Sequence, residues 1–482
     1  MPNYASQGRR RGTVGQQVRR TARGLLDKDI TGLERLLPAG KVQQAIAAEG
    51  VKYRDRLFPP LVTLWTFLLQ VLSADGSCRA AVLRLMASMA VMGRKGRVAC
   101  GAGTGPYCKA RQRLPENLLS RLLRDTGQTL HRECAAPARE ILGGRPLKVV
   151  DGTVCSMADT PENQGVWPQP RSQKPGLGFP LVRLVVVFSL GCAAVLDLAM
   201  GSYAGKQQGE SALFRTLLGS LAAGDILLAD RYYASYWMLA LLLERRVDSL
   251  FRQHQLRRID FRSGRRLGQG DHTIRLYKPK ACPQWMDQAT YQRLPQTLEV
   301  REVRVRVCQR GFRVRSLVLV TTLLDAQLYP AEEIAEAFRR RWHVELDLRS
   351  IKQTMGMGGV LRCKTPEMVR KEIWMHLLAY NLIRILMAEA AQAAGVEPRE
   401  VSFTAAVQTI NAFAPVFKCA PARKLPQMWR LLLYAVSHYR VGDRPNRYEP
   451  RAVKRRAKPI ALLTVPRQQA RRQLARSAGA AC

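Results

Sequence analysis

Apolar and polar positions follow three successive regimes along the chain. From about residue 25 to 140 the spacing is helical. "FPPLVTLWTFLLQVLSADGSCRAAVLRLMA" (58–87) holds two apolar runs broken at "SADGS", a helix stop followed by a cap. "GTGPYCKARQRLPENLLSRLLRDTG" (103–127) predicts two more helices on either side of Pro115. At "RPLKVVDGTVC" (145–155) the period changes. Leu147 to Val150 reads as an apolar strand ending in Asp151-Gly152, and "LVRLVVVFSL" (181–190) and "AAVLDLAMGS" (193–202) as two buried strands around Gly191. "ESALFRTLLGSLAAG" (210–224) predicts a helix stopped by Gly224. "DILLADRYY" (225–233) predicts a strand ending in Asp230, "ASYWMLALLLERR" (234–246) a helix, and "VDSLFRQ" (247–253) a strand. The order β-β-β-α-β-α-β implies a mixed α/β sheet covered by helices.

A β-rich insertion, 254–325, interrupts this pattern. Its "LEVREVRVRVCQRGFRVRSLVLVTTL" (298–323) reads as a hairpin turning at Arg310-Gly311 with a basic face. After Pro330 the pattern is helical again to about residue 440. The expected plan is a flexible basic arm (1–24), a helical domain (25–140), an α/β core (145–253 with 326–390), the insertion, and a helical, basic C-terminal region (391–482).

Charge narrows the function. Lys and Arg number 77 against 37 Asp and Glu, a formal net charge of +40. Such an excess points to a polyanionic partner, and nucleic acid is the leading reading over a generically Arg-rich composition. The most apolar window, 181–201, is interrupted by Arg183 and Asp197, and the basic N-terminus has no apolar run behind it. The cytoplasm, near the nucleoid, is the expected location. The eleven cysteines include no C-x2-C pair, which favours reduced thiols. Lys109, Arg111 and Arg113 precede Pro115. They suit either a helix-turn-helix facing a DNA groove or an ordinary helical hairpin with a solvated basic face. Arg171 and Lys174, in the Pro/Gly-rich stretch 163–180, border bound DNA or lie on a plain connection.

Two aspartates at strand ends, Asp151 and Asp230, are candidates for divalent-cation ligands, since paired carboxylates repel unless a cation holds them. Alone, each reads equally well as a turn former or, for Asp230, as the partner of Arg231. The stretch "FRRRWHVELDLRSIKQTMGM" (338–357) supplies a third acid. Taken as one helix with a step of about 100°, and with Phe338 at zero, Arg341 falls at roughly 300°, Glu345 at roughly 340° and Lys352 at roughly 320°. Asp347 falls at roughly 180°, on the opposite side, where it is expected to be a surface group. Trp342 and Arg349 lie close to the Glu345 face.

Spaced as F-x2-R-x3-E-x6-K, this segment resembles the Y-x2-R-x3-E-x6-K signature of bacterial insertion-sequence DDE transposases of the IS-four group, with Phe338 in the Tyr position. "VVDGT" and "LLADRYY" are similar to that family's two aspartate segments, and the β-rich insertion before the Glu is similar too. The resemblance runs from about residue 55 to 460. It implies an RNase H-like catalytic core in which Asp151, Asp230 and Glu345 ligate Mg²⁺, or Mn²⁺, while Arg341 and Lys352 hold phosphates of the transposon end. It also implies cleavage of double-stranded DNA at the element ends, a hairpin intermediate, joining of the 3′-OH to target DNA, and a homodimer in the synaptic complex. Trp285 and Trp342 are candidates for an aromatic pocket around a flipped base. A nuclease of the same fold without strand joining, and a non-catalytic DNA-binding descendant, are the competing readings. Retention of all three acids and both bases weighs against the second, and the basic helical domain 25–140, expected to be a DNA-binding domain suited to the element ends, favours transposition over the first.

Overall fold

A computed structural model describes residues 35–53, 57–92, 101–134, 141–306, 316–442 and 462–479. The basic arm expected at 1–24 and the turn at Arg310-Gly311 lie outside these residues. The described chain forms two compact units, one from residues up to 126 together with 371–440, the other from 127–370 with the residues after 440.

The first unit is helical. It opens with α1 (Ala39–Ala48), α2 (Pro60–Val71), α3 (Cys78–Met92), α4 (Gly105–Arg113) and the start of α5 (Glu116–Cys134). Every residue of α2 is buried, as expected of a helix apolar all round, and Pro60 begins it where no N–H is needed. Its polar members, Thr63, Thr66 and Gln70, are all bonded, the threonines to the Pro59 and Val62 carbonyls; Gln70 reaches further. Its Oε1 accepts from Tyr107 Oη at 2.7 Å and from Arg111 at 3.2 Å, which ties α4 onto α2. Lys109, Arg111 and Arg113 therefore belong to a helix rather than to a basic connection, and only Leu114 and Pro115 separate it from α5.

The second unit is built on a mixed sheet, ten-stranded among the described residues. Its strands and helices follow in the order β1 (Leu147–Met157), α6 (Pro161–Val166), β2 (Leu181–Ser189), β3 (Val195–Ser202), α7 (Glu210–Arg215), β4 (Ile226–Ala229), α8 (Tyr236–Glu244) and β5 (Asp248–Arg252). They continue with β6 (Arg265–Gly268), β7 (Asp271–Tyr277), α9 (Gln288–Arg293), β8 (Thr297–Arg306) and β9 (Ser316–Thr321). The path is β3-β2-β1-β4-β5-β9-β8-β7-β6. β1 is antiparallel to β2 and parallel to β4, which is parallel to β5. The strands of residues 254–325 continue this sheet through the antiparallel β5–β9 pair. The basic face expected on the β8–β9 hairpin is only partial. Arg301 is fully buried and bonds Asp271 with two nitrogens, at 2.8 and 2.5 Å.

Two sequence-based boundaries shift. β1 does not end at Asp151. It runs to Met157, because β2 pairs with it from Lys148 to Ser156, Asp151 opposite Val186, and β10 takes up Met157. The helix expected over 210–224 is cut to six residues plus a 3-10 turn at Leu218–Ser220.

After β9 the chain forms α10 (Ala331–Arg340), α11 (His343–Arg349), a π-helical turn at Ser350–Thr354 and the short β10 (Val360–Leu361). Then α12 (Pro366–Ala394), α13 (Phe403–Cys419) and α14 (Leu425–His438) follow, and α15 (Arg467–Gly479) ends the described chain. The helical unit thus takes residues 371–440 as well as the N-terminal helices. Within it Trp374 Nε1 donates to Glu116 at 3.0 Å and Lys371 Nζ to the Gln112 carbonyl at 2.7 Å.

Candidate active site

The sheet brings the two aspartates together by register. Parallel pairing of β1 with β4 stops at Val149 opposite Leu228. Two residues further along each strand stand Asp151 and Asp230, side by side where β1 and β4 part. That gap is where an open α/β sheet presents side chains for chemistry. On this side, then, Asp151 does lie beyond the strand pairing, although β1 itself continues. Its carboxylate accepts the Gly152 N–H at 2.8 Å.

Glu345 arrives on a broken helix. α10 stops at Arg340, and i→i−3 bonds carry the backbone across the junction: Trp342 N–H to Arg339, Val344 N–H to Arg341 and Glu345 N–H to Trp342. The π turn then follows α11 directly. The single 100° wheel therefore does not hold between Phe338 and Lys352, because a tightened turn and a wide turn interrupt it. The wheel still separates the two acids correctly but misplaces Asp347. Glu345 is exposed in the cleft, whereas Asp347 is 1% exposed, a buried acid rather than a surface one.

Three ties hold this segment against β1. β10 pairs in parallel with the end of β1, Ser156 opposite Val360 and Met157 opposite Leu361. Lys352 Nζ donates to Thr153 Oγ1 at 3.2 Å. The Gly358 N–H bonds the Lys352 carbonyl at 2.7 Å and closes the π turn. The result is an open cleft of about 580 Å³ lined by Asp151, Gly152, Glu345, Arg349, Lys352 and Gln353, among others.

The electrostatics knit the acids together. Burial raises the Asp151 carboxyl above its ordinary value and Asp230 adds to this, while the Gly152 N–H and Arg341 oppose it. Glu345 is raised by burial first, then by Asp151 and Asp230, against the lowering pull of Arg341. Arg341 is thus the cation that both acids feel. It is 8% exposed, its guanidinium lies over the Phe338 ring at 5.3 Å, and its Nε has no hydrogen-bond partner. Phe338 supplies the stacking face that a Tyr would supply, without the hydroxyl.

The other sequence candidates divide. Arg349 lines the cleft, with Nε donating to Gln353 at 2.9 Å, and Trp342 is 50% exposed at the helix junction. Trp285 carries Arg215 over its ring at 3.8 Å. Lys109, Arg113, Arg171 and Lys174 are exposed. Arg111, by contrast, is turned into the core and away from the solvent-facing position expected of it. It is 7% exposed, donates to Gln70 and to Cys78 Sγ, and lies over the rings of Phe67 and Tyr107 at 4.9 and 5.1 Å. Sequence reasoning missed Glu210, which leads α7 and whose charge couples to Asp151 and Asp230. The in-strand Gly152 was its only signal, since such a glycine marks close approach of another group.

The donor set is oxygen only and made of crowded, partly desolvated carboxylates, which suits a hard divalent cation. Among the described residues no group of three or more His, Cys, Asp or Glu is arranged to hold an ion as it stands. Mg²⁺ keeps several of its waters, so such a site works with fewer direct protein ligands.

Asp151 and Asp230 stand where two parallel strands part, and Glu345 shares the cleft with Asp151, with the Arg341 charge acting on both Asp151 and Glu345. Residues 142–382 match the family described as "Transposase DDE domain", and the chain belongs to it. The chain is 28% identical over 442 residues to transposase InsG of insertion sequence element IS4 from Escherichia coli (strain K12), a match covering 89% of this chain and 93% of that protein. It is also 38% identical over 66 residues to the putative transposase InsL of insertion sequence element IS186A from the same organism, covering 14% of this chain and 18% of that one. Among solved structures it is similar to a piggyBac transposase in a synaptic complex with hairpin DNA, at 9% identity, a TM-score of 0.40 and 84% coverage of each chain.

Proposed function

We propose that Asp151, Asp230 and Glu345 are the cation-binding acids of this transposase, and that they cleave DNA at the ends of an insertion sequence and join the freed 3′-OH to target DNA. The observation that carries the assignment is the meeting of the three acids: Asp151 and Asp230 in register, with Glu345 in the same cleft and Arg341 acting on it and on Asp151. Strand order supports an RNase H-like core, since in β3-β2-β1-β4-β5 only β2 runs against the others.

When bound, Mg²⁺ or Mn²⁺ would activate the attacking oxygen and stabilise the leaving one. The remaining work falls to this chain's own groups. Arg341, pre-stacked on Phe338 and with a free Nε, offers a fork to a phosphate of the element end. Lys352 and Arg349 add positive charge along the cleft wall. Trp342, exposed beside it, suits stacking against an unpaired base of a DNA hairpin. Lys109, Arg113, Arg171 and Lys174 are the exposed cations assigned to flanking duplex, and a homodimer is the assembly that pairs two ends.

The test is cleavage of a duplex carrying the element end, with Mg²⁺. Asp151→Asn and Glu345→Gln should each abolish both nicking and strand joining while leaving the circular dichroism spectrum unchanged. Cleavage at the wild-type rate by either folded variant would refute the assignment.

A further inference from the structure

Glu210 and Tyr233 lie beside the three acids and are not used by the function proposed above. The Glu210 side chain lies directly against Gly152. A Cβ built on Gly152 would stand 2.5 Å from both Cδ and Oε1 of Glu210, and 2.9 Å from Cγ. Residue 152 is thus a glycine where any side chain would push this carboxylate out. The position is deliberate on the other side too. Leu213 and Phe214 anchor α7 in the core, and Ser211 Oγ donates to the Tyr232 carbonyl at 3.0 Å, which ties α7 to the turn just after Asp230.

Among the described residues the Glu210 carboxylate has no hydrogen-bond or ion-pair partner. Arg183, the cation that acts on it, donates to the Gln208 carbonyl at 2.5 Å and lies over Tyr203 at 5.0 Å. Tyr233 is the second unmet group. It is 1% exposed, its ring meets Phe214 edge-on at 5.6 Å, and its hydroxyl has no partner. A buried hydroxyl left unmet is costly, so it calls for a polar partner. Burial and the charges of Glu210, Asp151 and Asp230 raise this hydroxyl above its ordinary range, against the pull of Arg183. An unpaired acid at the head of α7, set against Gly152, and an unpaired buried hydroxyl whose ring packs on Phe214 of the same helix therefore lie together next to Asp151. A hydrated divalent cation fits both: its waters are strong donors, and the carboxylate and the hydroxyl oxygen can each accept from them.

We propose that Glu210 is a fourth carboxylate of the ion site, holding the water shell of the cation bound by Asp151 and Asp230, with the Tyr233 hydroxyl fixing that water. This rests on the cation-binding role of Asp151 given above. Glu210 and Tyr233 act as positioning residues, since they reach the cation through water.

The experiment is calorimetric titration of Mn²⁺ alone into the metal-stripped full-length protein and its variants, with circular dichroism and thermal unfolding alongside. Glu210→Gln should weaken Mn²⁺ binding about tenfold or more, as loss of an outer partner of a metal site does. Tyr233→Phe should weaken it less, by a few-fold. The rise in unfolding temperature on adding Mn²⁺ should shrink in both, and cleavage by Glu210→Gln should recover as Mn²⁺ is raised. Wild-type Mn²⁺ affinity in folded Glu210→Gln overturns the proposal. Should that variant not fold, wild-type affinity in Tyr233→Phe, which keeps the ring and its packing, overturns it instead. Asp151→Asn separates the two levels. If it loses Mn²⁺ while Glu210→Gln does not, only the fourth acid fails; if it binds Mn²⁺ like the wild type, the ion site itself is misassigned.

Discussion

Glu345 and Asp347 stand two residues apart and have opposite fates. Glu345 opens into the cleft, within reach of the charges of Asp151, Asp230 and Arg341. Asp347 is on the far side of the same short helix and is almost completely buried. The substitutions Glu345→Gln and Asp347→Asn should therefore fail in different ways. The first should remove cleavage and leave the unfolding temperature near that of the wild type. The second should lower stability by about 1–3 kcal/mol, the usual cost of disturbing a buried polar group, and retain Mn²⁺ binding. Thermal unfolding and Mn²⁺ calorimetry on both variants check this. An Asp347→Asn protein of wild-type stability that neither binds Mn²⁺ nor cleaves would reverse the assignment of the two acids. Arg341 follows a third pattern. Arg341→Ala should retain Mn²⁺ affinity but lose end cleavage, because what it removes is a phosphate fork stacked on Phe338.

At the scale of elements, the decisive feature is the join of α10, α11 and the π turn. Neither the helix junction nor the π turn is visible in hydrophobic spacing, yet together they set how the Phe-Arg-Glu-Lys residues are presented. Gly358 is the residue on which the π turn closes. A Cβ there would meet the Lys352 carbonyl oxygen at 2.8 Å and the Lys352 Cβ at 3.1 Å. Gly358→Ala must therefore move the backbone of the turn and the amine it carries. The expected outcome is a loss of about 1–3 kcal/mol in stability and weaker binding of the element end, with Mn²⁺ affinity kept. Unchanged end binding in a gel-shift titration would show that Lys352 does not hold DNA.

For the molecule as a whole, a net charge of +40 makes salt the first variable. Each neutralised phosphate releases counterions, so with six to ten phosphate contacts affinity should fall by roughly 10³–10⁵ between 50 and 200 mM salt. Fluorescence anisotropy across that range checks the slope; a flat response would exclude a phosphate-based interface. The location of end recognition needs a gentler test than removing residues 1–140. The helices of residues 35–126 share one compact unit with residues 371–440, so that deletion would strip the partners of Trp374 and Lys371 and expose their packing face. Lys109→Ala with Arg113→Ala is the better probe. Both side chains are exposed, whereas Arg111 belongs to the core with Gln70, Cys78 and Phe67.

What the sequence determined by itself was local. Runs such as 181–190 and 225–229 are short, apolar and bounded by turn residues, the first rich in Val, which marks them as buried strands. The acids Asp151, Asp230 and Glu345 and the bases Arg341 and Lys352 stand out in the sequence because each lies in a short motif of fixed spacing. Tertiary structure decided everything that depends on which atoms meet across distant segments. β1 continues past Asp151 because β2 pairs with it from Lys148 to Ser156, and Arg111 leaves the surface because Gln70 and two rings receive it. Asp347 is buried although a helical wheel places it merely opposite Glu345, since a wheel gives direction and not what lies there. Glu210 stands 58 or more residues in sequence from Gly152 and 135 from Glu345, on a helix with no motif of its own. Only the approach of α7 to a glycine in β1 brings its charge to the site.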